Sequence, residues 1–319
     1  MNRGQAFLWA VVAPLIFAGA LRPAHATSDT DSPSPRPPAH RHHHRHHHRL
    51  RGLANAMSVT ASDPKLRSTS ALVLDETDSK VLYARRADVP KPIASITKLM
   101  TALVVLDAGQ PLDEQLEVTR EDCAVGRGAY SRLAVGTRLT RADLLHLALM
   151  SSENRAAHAL GRNYPGGVPA FVRAMNAKAR ALGMTSTHFV EPTGLSSDNV
   201  ASAEDLAKLV TAASHNATIR EFSTDSGYAV RVRRHIVQYR NTDSLVSNPT
   251  WDIIVQKTGY ISEAGRCLVM QAVIEGRKVA IVLLDSFGKY TRVADARRVR
   301  KWMEMRLSQR SARGTGSTA

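Results

Sequence analysis

Pro92-Ile93-Ala94-Ser95-Ile96-Thr97-Lys98-Leu99-Met100 is the stretch around which this chain organises itself. Pro92 suits a helix start, and Ile93, Ile96, Leu99, Met100, Leu103 and Val104 recur at helical spacing, so the segment predicts a largely buried helix. Upstream, Ala71-Leu72-Val73-Leu74, a polar turn over 75–80 and Val81-Leu82-Tyr83 read as a β-hairpin. Downstream, residues 107–224 alternate Gly-containing loops with helical stretches at 141–150, 169–182 and 203–213. Strands then return at 228–237, 252–256, 266–274 and 278–285, with Glu275-Gly276 as the turn between the last two, and a final helix spans about 291–307. This order predicts an α+β fold: an antiparallel sheet flanked by helices, with an α-rich subdomain inserted at about 107–224.

A length of 319 residues with 43% hydrophobic and 22% charged residues allows one large domain with a real core and excludes collagen-like, coiled-coil and wholly disordered chains. Two cysteines, Cys123 and Cys267, exclude a disulfide scaffold and a Cys-rich zinc module; export permits a bond between them, and two separately buried thiols are the alternative. The net charge of +15 would suit a nucleic-acid partner were it spread over the fold. Residues 1–51 carry +5 and 289–313 carry +7, which leaves +3 for the body at 52–288. Such basic ends suit weak contact with anionic envelope surfaces and give no reason to expect base readout, so no nucleic-acid partner is expected.

Arg3, an apolar run over 6–21 and Ala24-His25-Ala26 read as a signal peptide over 1–26, so a periplasmic protein is expected, soluble or loosely held after processing. Residues 27–60 begin with a Pro/His/Arg-rich run that cannot bury apolar surface and are expected to form a disordered linker. Its histidines offer loose sites for a divalent metal, whereas the plainer and favoured reading is a polar spacer. The histidines elsewhere form no catalytic metal pattern, so no metal site and no cofactor are expected. A folded catalytic domain over 61–310 and a short tail at 311–319 complete the expected organisation, with no further β-rich domain or membrane anchor after the last helix. In that helix Val293, Ala296, Val299, Trp302, Met303 and Leu307 form an apolar stripe expected to pack on the sheet.

Ser95 and Lys98 stand three apart on the predicted helix, so both project from one face and the amine can accept the hydroxyl proton if it is held neutral. Ser62 and Lys65 share that spacing, but Pro64 and polar neighbours place them in a loop. Lys257-Thr258-Gly259 follows an apolar stretch; a cation and a hydroxyl at a strand end can hold a carboxylate, and glycine there admits an extended peptide, whereas the plainer reading is a basic strand end and turn. In Ser152-Glu153-Asn154, after an apolar helix, Ser152 can relay a proton and Asn154 can bond a peptide group; helix N-capping by Ser152 is the plainer reading. Ser197-Asp198-Asn199 competes for the same role from a polar loop.

With Ser131-Arg132-Leu133, Glu191-Pro192-Thr193-Gly194-Leu195 and Lys257-Thr258-Gly259-Tyr260 added, the ordered S-x-x-K, S-x-N and K-T-G motifs resemble the low-molecular-weight penicillin-binding proteins, the serine D-alanyl-D-alanine carboxypeptidase/endopeptidase family, over about 65–305. The resemblance implies the penicillin-binding, serine β-lactamase-like fold, with Ser95 as nucleophile, Lys98 as its base and Ser152 as proton relay. It implies that Asn154 holds the acyl-side amide, that Lys257 lowers the Lys98 pKa and binds an anionic group with Thr258, and that Gly259 lines the substrate strand. The backbone N–H groups of Ser95 and Tyr260 would form the oxyanion hole. Peptidoglycan stem peptides and β-lactams are the implied partners. The Glu191 and Gly259–Cys267 stretches look more like the endopeptidase branch, and Tyr260 and Arg266 are candidates to accommodate a bulky cross-linked leaving group. Carboxypeptidase action is the alternative. A class A β-lactamase is disfavoured because no E-x-x-L-N segment follows Ser152, and a non-catalytic wall-binding protein because every catalytic residue type is present.

Overall fold

The computed structural model describes residues 62–123 and 131–315, with side chains through 309. The expected signal segment and Pro/His/Arg-rich linker lie outside the described residues. The chain enters through β1 (Ser68–Asp75), β2 (Lys80–Arg85) and β3 (Lys91–Pro92), makes a single 3-10 turn at Ala94–Ile96 and continues as helix α1 (Thr97–Asp107). There follow β4 (Gln115–Glu117), β5 (Arg138–Thr140), α2 (Arg141–Met150), α3 (Asn154–Arg162), α4 (Gly167–Ala181), β6 (Val200–Ala201), α5 (Ala203–Ser214) and α6 (Ala217–Thr224). Strands β7 (Gly227–Val232), β8 (His235–Arg240), β9 (Asp252–Ile261), β10 (Gly265–Ile274) and β11 (Arg277–Ser286) precede the last helix, α7 (Thr291–Thr315).

The main sheet has the order β2-β1-β11-β10-β9, and every neighbouring pair is antiparallel. Strands β10 and β11 read as continuous apolar runs because helices cover both faces. On one face Ala71, Val73, Leu268, Met270, Ile281 and Leu283 meet Ala296, Val299, Trp302 and Met303 of α7. On the other, Leu72, Val269, Val282 and Leu284 join the core built on α1 through α6. The apolar stripe of the last helix therefore packs on the sheet. Among the described residues no helix is long and apolar enough to cross a membrane.

Local chemistry sets the helix starts. Thr140 and Asp143 form a reciprocal capping box at α2, and Ser202 caps α5 by accepting from the Asp205 N–H. Helix α3 is capped by Glu153, whose carboxylate accepts from the Arg155 N–H, so the N-cap alternative for Ser152 is wrong. Two further readings need correction. The strand expected over 228–237 is a separate hairpin, β7 and β8, turning at Arg233 with φ +55°. Lys257-Thr258-Gly259 sits inside β9 rather than at a strand end, since the ladder with β10 continues through Tyr260 opposite Arg266. Both cysteines are free, Cys123 exposed and Cys267 buried, so there is no bond between them. Burial pushes the Cys267 thiol up to about 11.

Candidate active site

Ser95 lies in the 3-10 turn that leads into α1, one turn before Lys98. The preceding residue, Ala94, is fully buried at φ +50°, a conformation unusual for a residue with a side chain. Its carbonyl accepts from Thr97 Oγ1 at 2.8 Å, and Asn199 Nδ2 in turn donates to Thr97 Oγ1 at 3.1 Å. Two glycines press on this turn. A Cβ on Gly194, which has φ +84°, would lie 1.9 Å from the Ala94 carbonyl oxygen; one on Gly259 would lie 2.9 Å from the Ile93 oxygen and 3.1 Å from the Ser95 nitrogen. Gly259 is thus required by the backbone beneath Ser95, a reason inside the protein where the sequence suggested one in the substrate.

Lys98 is fully buried, and its Nζ has three oxygen neighbours: Ser95 Oγ at 2.9 Å, Asn154 Oδ1 at 2.7 Å and the Thr193 carbonyl at 2.6 Å. A neutral amine has two hydrogens and one lone pair. Amide and carbonyl oxygens only accept, so the hydrogens go to Asn154 and Thr193 and the lone pair is left facing Ser95 Oγ, the one neighbour with a proton to give. Burial lowers the Lys98 pKa from 10.5 to about 8, against the opposing pull of the Glu191 and Glu153 carboxylates.

Lys257, on β9, is also fully buried, with Nζ donating to the Thr258 carbonyl at 3.0 Å. Its pKa lies well below the usual lysine range, first because of burial, then because of repulsion from Lys98 and Arg292, with Asp243 opposing. Burial is the first cause of the low Lys98 pKa, and the repulsion between Lys98 and Lys257 is mutual, so each cation disfavours the other. Thr258 Oγ1 shares a hydrogen bond of 2.6 Å with Thr242 Oγ1. Ser152 stands at the α2–α3 junction, half-buried at φ +61°, two residues before Asn154. Tyr260 follows Gly259 on β9 and is exposed.

The structure thus ties Ser95, Lys98 and Asn154 together by hydrogen bonds and packs Gly259 against Ser95, with Lys257 and Thr258 on the same strand. Ser62 and Lys65 precede β1 on no helix, and Lys65 pairs with Asp63 at 3.1 Å. Asn199, of the competing S-D-N stretch, is buried as a brace: its Oδ1 accepts from Val190 N and its Nδ2 also reaches the Glu191 carbonyl and carboxylate.

Two roles at the site escaped the sequence reading. Glu191 gathers Thr193 N and Oγ1 at 2.6 Å and Gly194 N at 2.5 Å, and so holds the loop that presents the Thr193 carbonyl to Lys98. Arg292 donates to the Gly259 carbonyl at 3.1 Å. Counted among a basic terminal helix, Arg292 looked unremarkable, yet a cation in the first turn of α7, which has no acid there, opposes the helix dipole. That mismatch was the available signal for a role outside the helix.

Fold and site together define the class: an α+β enzyme of the penicillin-binding, serine β-lactamase-like group, built around a buried Ser–Lys pair. The D-alanyl-D-alanine carboxypeptidase family matches residues 57–288, and the chain belongs to that family. It is 50% identical over 263 residues to a D-alanyl-D-alanine endopeptidase of Pseudomonas aeruginosa, covering 79% of this chain and 85% of that protein. A D-alanyl-D-alanine endopeptidase of Escherichia coli is 49% identical over 251 residues, covering 78% and 81%. Among solved structures, a Streptomyces DD-transpeptidase superposes with a TM-score of 0.68 at 28% identity, covering 74% of this chain and 97% of that one.

Proposed function

We propose that the protein is a periplasmic serine D,D-peptidase that hydrolyses D-alanyl bonds of peptidoglycan stem peptides through an acyl-enzyme, with cross-links as the preferred substrate. The observation that carries the reading is the set of oxygens around Lys98 Nζ: in the free base Asn154 and Thr193 take its two hydrogens, which leaves the lone pair facing Ser95 Oγ. Ser95 Oγ attacks the D-alanyl carbonyl and gives its proton to Lys98 Nζ. The oxyanion that forms accepts from the Ser95 and Tyr260 N–H groups, and collapse breaks the peptide bond. The departing amine takes a proton from Lys98 through Ser152. Water, deprotonated by the Lys98 amine, then attacks the acyl carbonyl, and the proton passes to Ser95 Oγ as its bond to the acyl group breaks.

Lys257, Thr258 and Arg292 hold the carboxylate on the leaving side, and its arrival favours the cationic form of Lys257 by supplying a counter-charge. Asn154 holds the acyl-side amide. β-Lactams acylate Ser95 by the same path. The relatives that share half of their aligned residues with this chain are D-alanyl-D-alanine endopeptidases, whereas a Streptomyces D-alanyl-D-alanine carboxypeptidase is 28% identical. Export by residues 1–26, a spacer over 27–60 and a catalytic domain over 61–310 complete the proposal.

Digestion of cross-linked muropeptide dimers and of monomeric pentapeptide, resolved by mass spectrometry, tests the substrate preference. Dimers should fall to monomers while pentapeptide stays largely intact. Conversion of pentapeptide to tetrapeptide with dimers untouched would make the enzyme a carboxypeptidase.

A further inference from the structure

Most aromatic side chains in the described residues are buried or half-buried. The strongly exposed ones are three: Phe287 at 94%, Tyr290 at 71% and Tyr260 at 55%. All three sit at one end of the main sheet. Ser286, next to Phe287, pairs across β11 and β10 with Arg266, which pairs across β10 and β9 with Tyr260. Two residues beyond Tyr290 stands Arg292, bonded to the carbonyl of Gly259, the neighbour of Tyr260. The loop carrying Phe287, Lys289 and Tyr290 therefore lies at the Tyr260 end of the sheet, one strand away from the strand that carries Lys257 and Thr258, with Arg292 reaching across to that strand.

Cations accompany these rings. The Arg266 guanidinium lies 4.5 Å from the centre of the Tyr260 ring, and Lys289 Nζ lies 5.4 Å from that of Tyr290. Large aromatic faces left in water beside positive charge suit a ligand with aliphatic and anionic portions. A second peptidoglycan stem fits that description, since its peptide carries free carboxylates along a largely aliphatic chain.

Resting on the peptidase reading above, we propose that Phe287, Tyr290 and Tyr260, with Lys289 and Arg266, form a subsite for the second stem, the one that departs when a cross-link is cut. The direction follows from the site. On that reading Thr258 and Arg292 hold the leaving-side carboxylate, so a chain that continues past it runs toward Tyr260 and the loop at 287–290. A terminal D-alanine ends before that point, and so does the body of a β-lactam. The aromatic rim therefore contributes to binding of cross-linked substrate alone, which gives the endopeptidase preference a physical origin in residues outside the three motifs.

The test is the double variant Phe287→Ser/Tyr290→Ser, with Lys289→Glu as an independent change of charge. The full-length protein is assayed for kcat/KM on a purified cross-linked muropeptide dimer, for kcat/KM on monomeric pentapeptide and for acylation by fluorescent penicillin. The double variant should lose about tenfold or more on the dimer, mostly in KM, while pentapeptide turnover and penicillin acylation keep their wild-type values. Lys289→Glu should lower dimer cleavage in the same selective way. Unchanged dimer cleavage in these variants would overturn the subsite, and so would an equal loss on all three substrates, which would place the side chains in the scaffold of the catalytic centre. Wild-type enzyme that leaves the dimer intact would instead overturn the endopeptidase reading on which the subsite rests.

Discussion

Replacing Gly194 by alanine should separate the geometry of the nucleophile from the stability of the fold. The new Cβ would stand 1.9 Å from the Ala94 oxygen, 2.3 Å from the Ala94 carbonyl carbon and 2.8 Å from the Ser95 nitrogen. To reach ordinary contact, the Ala94–Ser95 peptide or the 191–196 loop must move by about 1.5 Å, and a misplacement of even about 1 Å costs on the order of a hundredfold in rate. Strain at φ +84° adds about 1–2 kcal/mol and overpacking about 1–3 kcal/mol of lost stability. Gly136 provides the control: its φ is +83° and nothing lies within 4 Å of its added Cβ, so Gly136→Ala carries the strain without the clash. The assay is the second-order rate of acylation by fluorescent penicillin, with urea unfolding alongside. Gly194→Ala should lose about a hundredfold in acylation and about 2–5 kcal/mol in stability, whereas Gly136→Ala loses about 1–2 kcal/mol and keeps its acylation rate. Acylation by Gly194→Ala within about threefold of wild type would refute the claim that this contact positions Ser95.

Acylation should also follow the Lys98 amine. Because burial lowers its pKa to about 8 and the free base is the reactive form, kcat/KM should rise with pH through that value and level above it; a profile flat from pH 6 to about 9 would exclude Lys98 as the base. Asn199→Ala removes a buried brace that joins Thr97 Oγ1 to Glu191 and should destabilise the fold by about 2–4 kcal/mol in urea, whereas Ser197→Ala should change it by no more than about 0.5 kcal/mol. Asp295, fully buried, accepts from Ser68 N and Oγ at 2.7 Å and from Arg67 N at 2.9 Å, tying α7 to β1. Asp295→Ala should cost about 3 kcal/mol in thermal or urea unfolding, while penicillin still acylates the folded fraction at its normal rate.

The elements that announce themselves in the sequence are those whose side chains answer to their own period. The apolar runs of β10 and β11, the helical repeat from Ile93 to Val104 and the turn at Glu275-Gly276 are local signals, and the structure follows them closely. The 228–237 stretch failed because a hairpin whose turn residue is Arg233, at φ +55°, lacks the glycine or asparagine that normally marks such a turn. The length of β9 was missed because Lys257, polar by type, is buried within the strand. At the site the same division holds. Ser95 and Lys98 lie one helical turn apart, so their pairing is written in four consecutive residues. The Thr193 carbonyl reaches Lys98 across 95 positions, and Asn199 reaches Thr97 across 102; backbone groups and braces of that range leave no spacing to read. Asn199 shows the cost of reading motifs by letter alone, since the better literal S-D-N match braces the loop behind Ser95.

The central claim is that Ser95 becomes acylated with Lys98 as its base. Peptide mapping of the protein after brief exposure to penicillin, by mass spectrometry of a protease digest, tests it most directly. The account predicts one adduct, on the peptide that contains Ser95, absent in Ser95→Ala, retained in Ser62→Ala and strongly slowed in Lys98→Met. An adduct on Ser152 or Ser62, or undiminished labelling of Ser95→Ala, would contradict it.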